Sequence, residues 1–202
     1  GFRSLRGGLM AWYSSDRNDF EAQWYRPGPA QVHEARWEHW PLAASLATFA
    51  ETSGLRSAAW GIFDIANLEG PYCSFMARRM EPGYSGVVSQ TDAGAVIAVA
   101  TCMPFRIGET GSPWSNVWLV DTFAHPLHMF KMTDALASLP IPPGKAIALA
   151  TDTDAERRSA FAAAGFEREG RLREMLAVGP MRVDVSVYGR NIAGDALEVL
   201  PH

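Results

Sequence analysis

Hydrophobic and polar positions follow the most regular pattern in the last third of the chain. Residues 117–126 form a mostly apolar run that ends in His-Pro, which is typical of a buried strand. In residues 127–139, methionine and leucine recur three or four positions apart, which predicts a helix with one apolar face. Residues 146–152 are again a short apolar run, so we expect a second buried strand after the helix.

The ends of the next helix are predicted by its flanking residues. Thr153 and Glu156 have the Ser/Thr-x-x-Glu spacing of a capping box, in which both side chains bond backbone N–H groups of the first turn. Gly165 is suited to the left-handed backbone conformation that ends a helix. Beyond it, residues 170–178 and 181–188 alternate around a Gly-Pro pair, which predicts a hairpin or two closely paired strands.

The first half of the chain contains fewer regular patterns. Residues 84–105 contain two apolar runs around a Gly turn, which predicts two antiparallel strands. Residues 32–37 favour a first strand, and Pro41 followed by an apolar stripe predicts a helix over residues 40–52. Residues 55–82 are compatible with helix or strand, since short apolar runs do not distinguish the two.

These elements divide the chain into three parts. We predict an N-terminal arm over residues 1–30, one α/β domain over residues 31–190 and a C-terminal tail over residues 191–202. Within the arm, residues 9–15 favour a strand and residues 16–25 a short helix. A chain of 202 residues is long enough to bury a substantial core in one domain.

Composition and charge restrict the class of protein. Hydrophobic residues make up 48% of the chain and charged residues 20%, which is typical of a globular domain and not of a disordered one. The formal net charge of −4 argues against a nucleic-acid surface, and no apolar stretch reaches the roughly 18 residues of a membrane helix. The two cysteines give no disulfide framework, so a reducing, cytoplasmic location is the default. We therefore expect neither nucleic acid nor a membrane as a partner.

Four segments of the last third resemble, in their order and spacing, the C-terminal half of the GNAT superfamily of N-acetyltransferases. They are residues 121–126, 154–166, 169–174 and 183–189. The resemblance implies a fold of the α+β type, with a mixed, mostly antiparallel central sheet that splays between two middle strands and is flanked by helices. It also implies acetyl-CoA as a co-substrate, lying in the gap between the strands at 117–124 and 146–152.

By the same resemblance, the cofactor contacts come from three places. Backbone groups of the central strand would pair with the amide-rich pantetheine arm as with an added strand. The N-terminus of the following helix would take the pyrophosphate. The second helix carries Arg157-Arg158, which we expect to be solvated or to reach a CoA phosphate. The cofactor-binding candidates are Thr122, Phe123, Ala124, His128, Met129, Lys131, Asp154, Arg158 and Phe161.

The chain departs from the family pattern at positions that matter for the cofactor. Residues 127–132 contain no glycine, although the family has a Gly-rich loop there, and side chains restrict the tight backbone cradle that such a loop forms. Phe161 stands where many members have a tyrosine that protonates the departing thiolate. Asp154 stands where the family often has asparagine.

Acyl transfer to an amine needs a path for the amine proton and an N–H donor for the oxyanion. A backbone N–H within residues 120–122 is the candidate donor. The catalytic candidates are Asp121 and His125 as bases and Tyr188 as an available phenol. The structural alternatives are that His125 packs at the end of its strand and that Asp121 caps a loop or faces the sheet edge.

Three functions remain open on the sequence. The favoured one is an acetyl-CoA-dependent N-acetyltransferase that acts by direct attack of an amine of a small molecule or peptide. The second is a catalytically impaired GNAT-fold protein that binds CoA or another ligand, and the third is a protein-interaction module that uses the Trp-rich N-terminal half. A metal at His125-x-x-His128 lacks a suitably spaced third ligand, so none is expected. A homodimer is compatible with the sequence.

Overall fold

The structure, a computed structural model, describes residues 2–4, 10–12, 23–43, 46, 75–105, 116–178 and 181–194. For residues 2–4, 10–12, 177–178 and 181 it describes the backbone only. Parts of the sequence predictions fall outside these ranges: most of the helices at 16–25 and 40–52, most of the undecided region at 55–82, the Gly-Pro turn at 179–180 and most of the tail.

We number the strands and helices in chain order. The strands are β1 (Phe2–Ser4), β2 (Met10–Trp12), β3 (Ala30–Glu34), β4 (Ser85–Thr91), β5 (Val96–Pro104), β6 (Val117–Ala124), β7 (Gly144–Thr151), β8 (Glu167–Val178) and β9 (Met181–Ile192). The helices are α1 (Lys131–Ser138) and α2 (Ala155–Ala163), and short 3-10 turns occur at Trp37–His39 and Pro126–His128. Residues 40–43 and 46 are also helical, in agreement with the predicted helix there.

Seven of these strands form one sheet in the order β3-β4-β5-β6-β7-β9-β8, while β1 and β2 pair separately. Only the β6–β7 pair is parallel within this sheet; the other neighbours are antiparallel. The predicted mixed, mostly antiparallel sheet flanked by helices is therefore confirmed. The meander β4–β5 turns at Gly94, whose φ of +91° is a backbone conformation that glycine adopts readily.

The two middle strands separate halfway along their length. β6 and β7 are paired from Val117 and Lys145 up to Val120 and Ala148, where their pairing ends. Beyond that point β6 remains paired with β5, and β7 remains paired with β9. We call the space between residues 121–124 of β6 and residues 149–151 of β7 the fork. It confirms the predicted splay.

Both faces of the sheet are covered by apolar packing. The face under α1 and α2 is built largely from alanines, whose small side chains let the helices lie close to the strands. This cluster includes Ala98, Ala100, Ala124, Ala146, Ala148, Ala150, Met132, Leu136, Ala160 and Phe161. On the opposite face, Val88, Val99 and Phe123 pack with Leu46 and Phe75. The fork therefore lies between two packed layers.

The helix predicted over residues 127–139 begins later than expected. His125 caps the Pro126–His128 turn, because its Nδ1 accepts the Leu127 N–H at 3.3 Å. The chain then enters α1 at Lys131. The predicted apolar face is correct, since Met132 and Leu136 are buried.

The start of α2 corrects the capping-box prediction. Asp154, and not Thr153, is the N-cap, and its carboxylate accepts the Arg157 N–H at 3.1 Å. The Thr153 hydroxyl lies 3.1 Å from the Thr151 hydroxyl instead. The helix ends as predicted, at Gly165 with φ of +80°.

The C-terminal hairpin is longer than its prediction. β8 and β9 each contain 12 residues, and β9 extends to Ile192, past the predicted end of the domain. β8 is bulged between Leu172 and Leu176, where the register with β9 shifts. At the other end of the chain, the first strand of the main sheet is Ala30–Glu34, earlier than the predicted 32–37. The division into arm, domain and tail stays a prediction. No helix within the described ranges is long and apolar enough to cross a membrane.

Candidate functional site

The base of the fork is occupied by an ion pair between β6 and α2. Asp121 is the first residue of β6 beyond the last β6–β7 pair. Its Oδ1 accepts a hydrogen bond from Nη2 of Arg157, in the first turn of α2. Both side chains are only 5% exposed. Burying two charges is costly unless each is paired and hydrogen-bonded, so this pair fixes α2 to the sheet at the fork.

The same carboxylate oxygen also bonds the central strand. Asp121 Oδ1 accepts the Thr122 N–H at 2.7 Å. One oxygen atom is therefore bound by a backbone N–H and by a guanidinium. The predicted oxyanion donor within residues 120–122 is engaged by this carboxylate in the structure.

The register of β6 decides which of its backbone groups face the fork. The His125 N–H donates to the Ile97 carbonyl at 2.8 Å, and the Phe105 N–H donates to the Val117 carbonyl at 2.9 Å. Odd-numbered residues of β6 thus turn their backbone groups towards β5, and even-numbered residues turn theirs towards the fork.

This alternation distinguishes the residues of β6 that were expected to offer backbone groups to the cofactor. Ala124 has its backbone groups on the fork side, where strand-like pairing with the cofactor was expected, and so does Thr122. Phe123 does not, since its backbone is directed at Val99 of β5 and its side chain packs on the face opposite α1 and α2. The Thr122 hydroxyl donates to the Val99 carbonyl at 2.9 Å.

The two histidines at the rim of the fork have structural contacts. The His125 ring stacks on Tyr25, with centroids 4.0 Å apart, and its Nδ1 caps the following turn. Nε2 of His128 lies 2.7 Å from the Tyr25 carbonyl oxygen. Both side chains are buried. These contacts favour the packing alternative for His125 over its role as a base.

The segment predicted to cradle a pyrophosphate uses several of its amides internally. The N–H groups of Leu127 and His128 donate to Nδ1 and to the carbonyl of His125. Those of Met132 and Thr133 donate to carbonyls within the segment. The Lys131 ammonium bonds Asp134 at 2.7 Å. Leu127 and Phe130 are exposed. The rim therefore presents apolar side chains and one lysine, and four of its amides are already engaged within the protein.

A groove of about 530 Å³ lies between the start of α1 and the exposed side of α2. Its lining residues are Met129, Phe130, Thr133, Ala155, Glu156, Ser159, Ala160 and Ala163. Of the residues predicted to bind the cofactor, Met129 is the one that lines this groove. Arg158, next to these residues in α2, has its Nε buried without a hydrogen-bond partner among the described residues.

An aromatic cluster closes the inner side of α2. Phe161 is fully buried, with ring centroids 5.6 Å from Phe166 and 5.8 Å from Tyr188. Tyr188 lies opposite Ala148 of β7, the residue that ends the β6–β7 pairing. Tyr188 and Phe161, the position where the sequence comparison expected a tyrosine, therefore belong to one aromatic cluster at the base of the fork.

The environment of Arg157 differs from the one that the sequence predicted. We expected a solvated arginine or one that reaches a phosphate, and the structure buries it against Asp121. The helical spacing contained a signal, because residues four apart share a helix face. Arg157 is four positions before Phe161, so the two side chains point to the same, buried side of α2. Among the described residues, no cluster of three or more His, Cys, Asp or Glu side chains is arranged to hold a metal ion.

No protein-family model and no curated protein matches the chain, whereas solved structures match most of its length. An N-acetyltransferase from Staphylococcus aureus has a TM-score of 0.62 at 11% identity, and the match covers 81% of this chain and 99% of that one. A ribosomal-protein-alanine N-acetyltransferase from Brucella melitensis has a TM-score of 0.62 at 16% identity, with 80% and 99% covered. A GNAT superfamily phosphinothricin acetyltransferase from Sinorhizobium meliloti, in complex with AcCoA, has a TM-score of 0.58 at 13% identity, with 81% and 88% covered. The chain thus has the fold of GNAT N-acetyltransferases, as its sequence predicted.

Proposed function

We propose that the protein is an acetyl-CoA-dependent N-acetyltransferase that transfers the acetyl group to an amine of a small molecule or peptide. The observation that carries the proposal is the fork: two parallel central strands that lose their pairing beyond Val120 and Ala148, with a groove beside it. A structure of the same fold, from Sinorhizobium meliloti, is in complex with AcCoA. The fold and the fork together favour the same co-substrate here.

In this proposal the donor enters along the groove and extends into the fork. The pantetheine arm carries amides that can pair with the backbone of Ala124 as an added strand does. The groove beside α2 is lined mainly by small side chains, so a narrow chain can lie between Phe130 and Ser159. Lys131 and Arg158 are the cations of this region that can face the CoA phosphates.

The chemistry would be direct attack of a neutral amine on the thioester. Asp121 is the candidate proton acceptor, because it lies at the base of the fork. Tyr188 is the candidate proton donor to the departing thiolate, because it lies beside Phe161, which has no proton to give. We do not assign a proton-transfer role to His125, whose ring is committed to Tyr25 and to the turn that it caps.

A second candidate function is a GNAT-fold protein that binds CoA or another ligand without turnover. It is favoured by the internal use of the amides at residues 127–133 and by the ion pair at the base of the fork. Both features leave less room and fewer donors for a reactive thioester. This candidate predicts ligand binding without an acetylated product.

Calorimetric titration with acetyl-CoA and with CoA tests both candidates. Ser159→Trp places a large side chain in the groove and is expected to abolish binding. Ala162→Trp, on an exposed position of the same helix that does not line the groove, is the matched control and is expected to bind normally. Binding would also raise the melting temperature of the native protein by mass action.

Turnover then separates the candidates. Acetyl-CoA would be incubated with a panel of amines and peptides, and products would be detected by mass spectrometry. An acetylated product that disappears in Ser159→Trp supports the transferase. Micromolar binding with no product from any acceptor favours the second candidate. Absence of binding up to millimolar acetyl-CoA and CoA would refute the transferase and would limit the second candidate to a ligand other than CoA.

A further inference from the structure

Two hydrogen-bond donors converge on one buried oxygen at the base of the fork. The Thr122 N–H donates to Asp121 Oδ1 at 2.7 Å, and Arg157 Nη2 donates to the same atom. The Asp121 and Arg157 side chains are each 5% exposed. A backbone N–H and a guanidinium aimed at one point, away from water, form the kind of site that stabilises a developing oxyanion.

We infer that Arg157 and the Thr122 N–H form the oxyanion site for acyl transfer, and that the Asp121 carboxylate occupies this site while no donor is bound. The inference rests on the proposed acetyltransferase function and assigns a catalytic residue to it. Its basis is chemical equivalence: a carboxylate oxygen and the oxygen of a tetrahedral intermediate are both anionic acceptors. Both are stabilised by the same charge-assisted donors.

The location of the two donors fits this role. Asp121 and Thr122 are the first residues of β6 beyond the last pair with β7, so a thioester that extends into the fork would end beside them. Arg157 reaches the site from α2, the helix that lines the groove.

Replacement of the Asp121 carboxylate oxygen by the oxygen of the thioester would activate both partners of the ion pair. When the thioester carbonyl oxygen replaces the Asp121 carboxylate, Arg157 and the Thr122 N–H polarise the C=O bond. The amine nitrogen attacks the carbonyl carbon, a C–N bond forms, and the C=O electron pair moves to the oxygen held by Arg157. The displaced Asp121 carboxylate accepts the amine proton.

Collapse of the intermediate restores the C=O bond and breaks the C–S bond. The CoA thiolate takes a proton from the Tyr188 phenol, and the phenolate regains one from protonated Asp121 through solvent. The products are the amide and free CoA, and both side chains return to their starting protonation states. No oxidant, reductant or metal takes part in this sequence.

The alternative is that Arg157 serves only to fix α2 to the sheet. The two roles differ in one spectroscopic property: only an oxyanion donor lowers the carbonyl stretching frequency of bound acetyl-CoA. Acetyl-CoA labelled with ¹³C at the carbonyl, bound to the full chain without an acceptor, would be measured by infrared difference spectroscopy. We expect a lower frequency than in solution for the wild-type protein.

Paired variants isolate Arg157 from the loss of the ion pair. Asp121→Asn keeps the guanidinium, so the frequency shift is expected to persist. Asp121→Asn combined with Arg157→Met removes both charges of the pair, so neither is left buried alone. The Thr122 N–H remains in this variant, so its shift should be smaller than in Asp121→Asn. Circular dichroism and melting curves check folding, and Arg168→Met, an exposed arginine on β8, is the control.

Kinetics with the best acceptor from the amine panel provide a second readout. Arg157→Lys retains a positive charge but not the planar guanidinium group, and Arg157→Met retains neither. We expect kcat to fall about 10²–10³-fold in Arg157→Met, with a smaller fall in Arg157→Lys. CoA lacks the thioester carbonyl, so its affinity should not weaken in either variant.

The outcomes separate this inference from the function on which it rests. If the wild-type protein does not bind acetyl-CoA, the transferase proposal and the inference are both wrong. If it binds and turns over, but the double variant keeps the full frequency shift of Asp121→Asn or Arg157→Met keeps its kcat, the oxyanion role of Arg157 alone is wrong. Arg157 would then be a structural ion-pair residue.

Discussion

The imidazole of His125 lies parallel to the ring of Tyr25, with centroids 4.0 Å apart and an angle of 11° between the planes. The Tyr25 carbonyl oxygen is also 2.7 Å from Nε2 of His128. These two contacts attach the segment before β3 to the rim of the fork, about 100 residues later in the chain. Tyr25, in the predicted arm, therefore contacts both histidines at the rim of the fork.

Replacement of Tyr25 should test whether this contact is structural. Tyr25→Leu keeps an apolar side chain but removes the ring pair, and aromatic pairs contribute about 0.5–1.5 kcal/mol beyond their buried area. We expect a decrease of about 1–2 kcal/mol in the free energy of unfolding, measured by urea denaturation. Trp37→Leu, at a residue that is 45% exposed, is the control and should change stability less. An unchanged unfolding free energy in Tyr25→Leu would contradict the attachment of this segment.

The pairing of Tyr188 with Phe161 leads to a rescue prediction. Tyr188→Phe should lower kcat about 100-fold if the phenol protonates the thiolate. Adding Phe161→Tyr in that background supplies a phenol 5.8 Å away between ring centres and should recover part of the loss. The measurement is release of free CoA with the acceptor held at saturation. Equal rates for the wild-type protein and Tyr188→Phe would exclude Tyr188 as the proton donor.

Gly144 occupies a position that no other residue is expected to accept. Its φ is +136°, and a Cβ at this position would overlap the carbonyl oxygen of Asn116. Gly144→Ala should therefore destabilise the fold by about 2–3 kcal/mol, since the backbone must shift where β7 begins. Gly28→Ala, where a Cβ would have only one neighbour at 3.9 Å, should have little effect. Thermal melting of both variants provides the comparison, and similar melting temperatures would contradict it.

Burial raises the pKa of the Cys102 thiol from 9.0 to about 12, only partly offset by a hydrogen bond with Ser85. The thiol stays protonated in the native protein, while in the unfolded chain it ionises above about pH 9. Because the unfolded state then binds fewer protons, native stability contributed by this residue is present below pH 9 and is lost as pH rises towards 12.

The measurement compares two proteins. One is Cys73→Ser, in which Cys102 is the sole thiol, and the other combines Cys73→Ser with Cys102→Ala. The difference in unfolding free energy between the two should change by about 1.4 kcal/mol per pH unit above 9. Groups common to both proteins cancel in this difference. A difference that is independent of pH up to 10.5 (roughly one and a half units above the ordinary thiol value) would contradict the prediction.

The regular patterns of the sequence predicted most of the fold, and local chemistry explains the remaining errors. The alternating strands and the end of α2 at Gly165 could be predicted, because they depend on neighbours close in the chain. The sequence predicted Thr153 as the N-cap where the structure has Asp154, and both side chains can accept amide N–H groups. The burial of Arg157 depends on the separation of β6 from β7, which is a property of the sheet and not of the helix. The contacts of His125 depend on Tyr25, which is distant in sequence.

The strand order β7-β9-β8 has a consequence for how the protein is made. β8 emerges from the ribosome before β9, yet it lies at the outer edge and reaches the sheet only through β9. Residues 185–192 must therefore be synthesised before β7 gains its second neighbour. Until then the nascent chain exposes an unpaired edge at β7, beside the fork, to which other chains can add. A chaperone that covers this edge during translation would act on the same strand that later borders the site.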